Sequence, residues 1–195
     1  MNAELVATFF HAYTPQAGDT VVEVGAGAGS ETNDLSYMVG DEGVVVAVEA
    51  HPLSFRLLCE RVSASNVVFV HAAVVAEGGS VWVSDDGDLI REHVVGRSHH
   101  GSIEVPAVTL DDVCADLEQI DFLKMNIEGS EGCALAGATE TLGRTLNVCV
   151  SCHDFLGMPT KTRVERVLED AGFSVFSRAD AEDSCRADYL YGVRR

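Results

Sequence analysis

Apolar positions along the chain switch repeatedly between two periods. Runs at 20–24, 44–48 and 67–71 are short and rich in Val, the mark of strands buried in a sheet. Between them the apolar residues recur at helical spacing: Leu35, Met38 and Val39 before Gly40, then Phe55, Leu58 and Val62 after Pro52. An N-terminal helix over residues 1–17 is expected from Leu5, Val6, Phe9, Phe10 and Tyr13, with Pro15 and Gly18 ending it. Ser30 is placed to cap the helix that carries Leu35.

The rhythm breaks after residue 77. Gly78-Gly79 leads into a strand over 80–84, a polar stretch over 85–102 and a further strand over 103–108. Residues 78–108 therefore read as a β-insertion or lid, long and irregular in its middle. Thr109 with Asp112 forms a capping signature for a helix through Leu110, Val113, Cys114 and Leu117. Alternation then resumes with a strand at 122–127, a helix at 133–142 and a strand at 147–152. A helix through Val164, Val167, Leu168 and Ala171 stops at Gly172, and strands at 173–177 and 188–193 close the pattern as a hairpin. Strands alternating with helices of about 10–15 residues predict an α/β fold: a mostly parallel sheet, helices on both faces and an antiparallel C-terminal edge. No linker divides residues 1–195, so a single domain is expected.

The first strand runs straight into Gly25-Ala26-Gly27-Ala28-Gly29, and Glu49 ends the second. Glycines between strand and helix let the backbone approach a bound nucleoside. A carboxylate at the second strand end suits ribose hydroxyls. The pair predicts an adenosine-containing cofactor. The rival reading is an NAD(P)-dependent oxidoreductase, disfavoured because a dinucleotide fingerprint would place Gly or Ala where Ser30 stands and because no Tyr-x-x-x-Lys pair is present. A non-catalytic module binding an adenosine ligand is the second.

Charge narrows the partners. A net charge of −18 repels nucleic-acid phosphates and anionic membranes. Only two lysines, Lys124 and Lys161, accompany that acidity, which fits either a high-salt habitat or an ordinary acidic enzyme. No apolar run nears the roughly 18 residues of a membrane helix, and residues 1–17 lack a secretory pattern, so a cytoplasmic protein is expected. The six cysteines read as small apolar side chains; Cys149 and Cys152, three apart in a strand, point to opposite faces. No metal site is expected: His99 and His100 read as solvated loop residues without ligand spacing.

With these segments laid out, the sequence resembles the FkbM family of methyltransferases. The likeness is carried by Gly18–Ala26, Val48-Glu49-Ala50-His51-Pro52, His71-Ala72-Ala73-Val74, residues 105–112 and above all Ile120-Asp121-Phe122-Leu123-Lys124-Met125-Asn126-Ile127-Glu128-Gly129. The resemblance implies a seven-stranded Rossmann-like fold and S-adenosylmethionine-dependent O-methylation of a hydroxyl on a sugar or small natural product. The family usually has Asp at the position of Asn126, often Asn at that of Ala28, and commonly Asp at that of Glu23.

Ligands of parallel sheets bind beyond the carboxyl ends of the strands. Glu23, Gly25, Ala26 and Gly27 are therefore expected at the methionine part of the cofactor, Glu49 at the ribose, and His71 and Ala72 near the adenine, with Ala50 and Asn126 completing the contacts. His153, with Asp154 beside it, is the expected general base, since removing the hydroxyl proton assists in-line displacement. Lys124 in a central apolar strand requires an internal partner, Glu23, Glu128 or Asp154, and serves either the chemistry or an ion pair beneath the site. Glu128 is a further catalytic candidate, whereas Glu131 is expected to serve the helix start. The oligomeric state stays open, a homo-oligomer included.

Overall fold

The computed structural model describes residues 8–85, 94–95, 101–152, 160–178 and 188–194. The chain runs through β1 (Thr20–Val24), α1 (Ser30–Val39), β2 (Val44–Glu49), α2 (Pro52–Arg61), β3 (Val67–His71), β4 (Ala73–Val74), β5 (Gly79–Ser84), β6 (Val94–Val95) and β7 (Ser102–Val108). It continues with α3 (Leu110–Val113), β8 (Ile120–Met125), α4 (Glu131–Ala134), a 3-10 turn (Leu135–Gly137), α5 (Thr139–Gly143), β9 (Thr145–Ser151), α6 (Thr160–Asp170), β10 (Ser174–Ser177) and β11 (Tyr189–Val193).

Seven strands form one sheet in the order β10-β11-β9-β8-β1-β2-β3. Neighbours from β9 to β3 are parallel. β11 is antiparallel to both β9 and β10, as the closing strand pair predicts. Strand alternation divides the core in two. Val22, Val24, Leu123, Met125, Val148 and Val150 bury one face with Leu110, Leu135, Leu142, Val164 and Leu168 of α3 to α6. Val21, Val45, Ala47, Phe122 and Cys149 bury the other with Leu35 and Val39 of α1, Leu58 of α2, and Phe9 and Phe10. A side chain as fully buried as Leu58 contributes roughly 1.5–3 kcal/mol by leaving water. Cys149 and Cys152 lie in opposite cores, as their spacing requires.

The segment between β3 and α3 builds a second, four-stranded sheet, β4-β7-β5-β6. It forms around the antiparallel pairing of β5 with β7, and β4 joins β7 in parallel. Ala73, Val83 and Val105 form its small apolar core.

Three local expectations are corrected. Gly29, in the left-handed region at φ 87°, is the N-cap of α1 and Ser30 is its first helical residue, so Ser30 caps nothing. The Thr109–Asp112 capping box is present in both directions, but α3 ends at Val113 and turns before Leu117. The helix expected at 133–142 is broken into α4, the 3-10 turn and α5. Its interruption falls at Gly137, where a Cβ would stand 2.7 Å from the Val75 carbonyl oxygen and 3.0 Å from that of Ala76. The helix expected over 1–17 is corrected as well: residues 1–7 lie outside the described residues, Thr8 is helical, and the chain turns at Phe9 and Phe10, well before Pro15. His99 and His100 lie outside the described residues.

Candidate functional site

The carboxyl ends of β1, β2 and β8 meet at a cavity of about 370 Å³, inside the range of roughly 300–1,000 Å³ typical of small-molecule sites. Gly25 starts the wall. Its N–H donates to the Val48 carbonyl at 2.9 Å, tying the loop after β1 to β2. Its φ is 82°, and a Cβ there would lie 2.0 Å from the Asn126 carbonyl oxygen, so only glycine fits between β1 and β8.

Glu49, buried at the end of β2, is held by two backbone donors. Gly27 N–H reaches Oε2 and His51 N–H reaches Oε1, each at 2.8 Å. One carboxylate thereby fixes both the glycine loop and the entry to α2. The His51 ring, also buried, lies on the wall, and its Nε2 is 3.3 Å from Asp85 Oδ1 at the end of β5. The small sheet reaches the cavity directly as well, through Ala73, Val74 and Val83.

Beyond β8 the chain turns through Asn126, Ile127 and Glu128, all on the wall. Glu128 has φ 51°, a left-handed conformation that a residue with a Cβ adopts at a cost of about 1–3 kcal/mol. Fully buried Glu131 holds this turn: its Oε1 accepts the N–H groups of Ile127 at 3.1 Å and Gly129 at 3.2 Å. Glu131 therefore serves the turn that presents Glu128 as well as the start of α4.

Lys124 and Glu23 are register neighbours on β8 and β1, buried beneath the glycine loop. Lys124 Nζ donates to Glu23 Oε1 and to Glu31 Oε2, both at 2.9 Å, and lies 4.7 Å from the centre of the Phe9 ring. Thr32 Oγ1 donates to Glu23 Oε2 at 2.6 Å. Burial pushes the Glu23 carboxyl above the usual carboxylate range, and the Lys124 ammonium opposes that rise. Burial would lower the Lys124 pKa, but Glu23 and then Glu31 outweigh it and hold the ammonium above its ordinary value.

Of the residues expected at the cofactor, Gly25, Ala26, Gly27, Glu49, Ala50, Ala72 and Asn126 share this one cavity, and Glu128 joins them. Glu23 and Lys124 do not line it; they form the ion pair below its floor. His71 also stands outside the wall, where its Nε2 donates to the Ala50 carbonyl at 3.2 Å and its ring stacks on Phe55. His153 and Asp154 lie outside the described residues. Sequence reading missed Glu31, His51 and Val83. An acidic residue in the first turn of the helix after the glycine loop, in a chain whose strand lysine requires an internal partner, was the available clue to Glu31.

Residues 23–175 match the Methyltransferase FkbM domain. The fold is shared with several solved structures. Aeropyrum pernix fibrillarin, in complex with natively bound S-adenosyl-L-methionine, superposes with a TM-score of 0.58 at 17% identity over 94% of this chain and 70% of that one. A SAM-dependent methyltransferase from Aquifex aeolicus gives 0.53 at 18% identity, covering 98% of this chain and 92% of the other. The SAM-dependent O-methyltransferase from Thermotoga maritima gives 0.57 at 13% identity over 92% and 60%. No curated protein matches the chain by sequence.

Proposed function

The chain belongs to the FkbM family of S-adenosylmethionine-dependent methyltransferases, and from that premise we propose that it methylates a hydroxyl group of a sugar or small natural product. The supporting observation is the single cavity that gathers the glycine loop, Glu49 and the turn carrying Glu128 at the carboxyl ends of β1, β2 and β8. When bound, S-adenosylmethionine supplies a methyl group on a positively charged sulfur, open to displacement by an oxygen nucleophile.

The chain's own groups fit that donor. Gly25 keeps the loop tight against β8. Glu49 accepts one N–H on each oxygen, and an ionised carboxylate has about four lone-pair sites, which leaves capacity for the ribose hydroxyls. Most of the acceleration in this reading comes from holding the acceptor oxygen in line with the methyl group. Glu128, presented by a strained turn, orients the acceptor hydroxyl. His153, the residue after Cys152, takes its proton with Asp154 as partner. Small acceptors are favoured over nucleic acids by the net charge of −18, which repels phosphates.

Calorimetric titration with S-adenosylhomocysteine, with NAD as control, tests the cofactor half of the reading. Binding of the former alone, lost in Glu49→Ala, is expected; a folded protein that binds neither, or prefers NAD, overturns it. Transfer of labelled methyl groups to a panel of hydroxyl-bearing sugars and natural products tests the acceptor half. There His153→Ala should lower kcat by about 10²–10⁴-fold while cofactor binding persists. Transfer only to nitrogen or carbon acceptors would contradict O-methylation.

A further inference from the structure

Among the described residues the cavity wall carries three carboxylates, Glu31, Glu49 and Glu128, and neither lysine nor arginine. Glu49 is engaged on both oxygens by backbone N–H groups. Glu31 is held differently. Its Oε2 accepts from Lys124 Nζ at 2.9 Å, whereas its Oε1 has no hydrogen-bond partner among the described residues.

Lys124 also serves Glu23, so one ammonium is shared between two carboxylates. Glu23 is wholly enclosed; Glu31, one-third exposed, is the member that reaches the cavity. Anchoring one oxygen to a buried ammonium fixes the direction of the other, so little side-chain freedom remains to be lost on binding. Across Gly25, the wall residue Asn126 is a neutral amide. Glu128 is assigned above to the acceptor hydroxyl, which leaves Glu31, in the first turn after the glycine loop, as the wall carboxylate available to a cation.

We propose that Glu31 is a specificity-determining residue whose Oε1 accepts a hydrogen bond from the α-ammonium of the cofactor's methionine part. This rests on S-adenosylmethionine being the cofactor and goes beyond it by assigning the recognition of one of its charged groups. The assignment separates ligands that carry the amino-acid tail from those that lack it.

The test is calorimetric titration of wild type and Glu31→Gln with S-adenosylmethionine, S-adenosylhomocysteine and 5′-methylthioadenosine, which has neither ammonium nor sulfonium. Lys124 keeps Glu23 as partner in this variant, and cooperative thermal unfolding well above the titration temperature checks that the fold stands. About a tenfold loss of affinity is expected for the first two ligands alike, as for a charge-assisted hydrogen bond, with 5′-methylthioadenosine unaffected. Glu31→Asp should recover part of the loss. Equal weakening of all three ligands would mean that Glu31 only shapes the loop and would overturn the proposal. Loss confined to S-adenosylmethionine would reassign the carboxylate to the sulfonium, and no loss would remove it from recognition. Failure of the wild type to bind any of the three would instead count against the cofactor itself.

Discussion

Lys124 shows how a single charged residue can be retained in an apolar sheet. Its side chain is 1% exposed, and its ammonium is paired with Glu23, which is fully buried, and with Glu31 at the cavity. Removing one partner of such a pair is costly because the other charge stays behind; Lys124→Met should lose about 3–5 kcal/mol in urea unfolding. The loss should also depend on pH. With the ammonium gone, burial raises the Glu23 carboxyl still further above its unfolded value. The variant then keeps most of its stability below the ordinary carboxylate range and loses it as pH rises through the folded-state value. A penalty that stays constant with pH would mean that Glu23 is not the group left uncompensated. The pairing with Glu23 was one of three options open in the sequence, and strand register selected it. Glu31 was legible only as an acidic residue in the right helix turn, because which side of a helix faces a given strand end depends on how the helix settles on the sheet. His51 and Val83 were hidden for the same reason: they reach the cavity through contacts between elements distant in the chain.

At the scale of elements, the order and type of almost every strand followed from apolar runs and their glycine and proline boundaries. The parallel strands are buried on both faces and leave little ambiguity of pattern. What failed was continuity. The stretch from Cys133 to Leu142 reads as one helix, yet it is split at Gly137, where the backbone at Val75 and Ala76 approaches closely. Gly137→Ala tests that account. The added methyl group must push against backbone oxygens in the segment between β4 and β5, so chemical unfolding should show a loss of about 1–3 kcal/mol. Because Val74 of β4 lines the cavity, weaker binding of S-adenosylhomocysteine should accompany it. A variant as stable as wild type would show that the segment yields freely and that the helix is interrupted for another reason.

For the whole molecule, the dominant quantity is charge. A net charge of −18 on 195 residues opposes compaction, and of the two lysines in the chain one is consumed inside the sheet. Raising KCl from about 0.1 M to molar levels shortens the screening length from about 10 Å to 3 Å. The thermal unfolding midpoint should therefore rise by several degrees, and scanning calorimetry across that range would measure it. A midpoint that falls with salt would mean that surface ion pairs outweigh the self-repulsion.

The placement of β11 bears on how the protein emerges during synthesis. β10 precedes β11 in the chain, but its partner in the large sheet is β11, which lies between it and β9. The Tyr191 hydroxyl on that same strand donates to the Thr8 carbonyl at 2.6 Å, joining it to the opposite end of the described chain. A nascent polypeptide that has not yet released residues 189–193 from the ribosome thus holds β9 with an open edge and β10 without a neighbour. Closure of the sheet on that side waits for its final strand, and until then the unpaired edge of β9 is the surface a chaperone has most reason to cover.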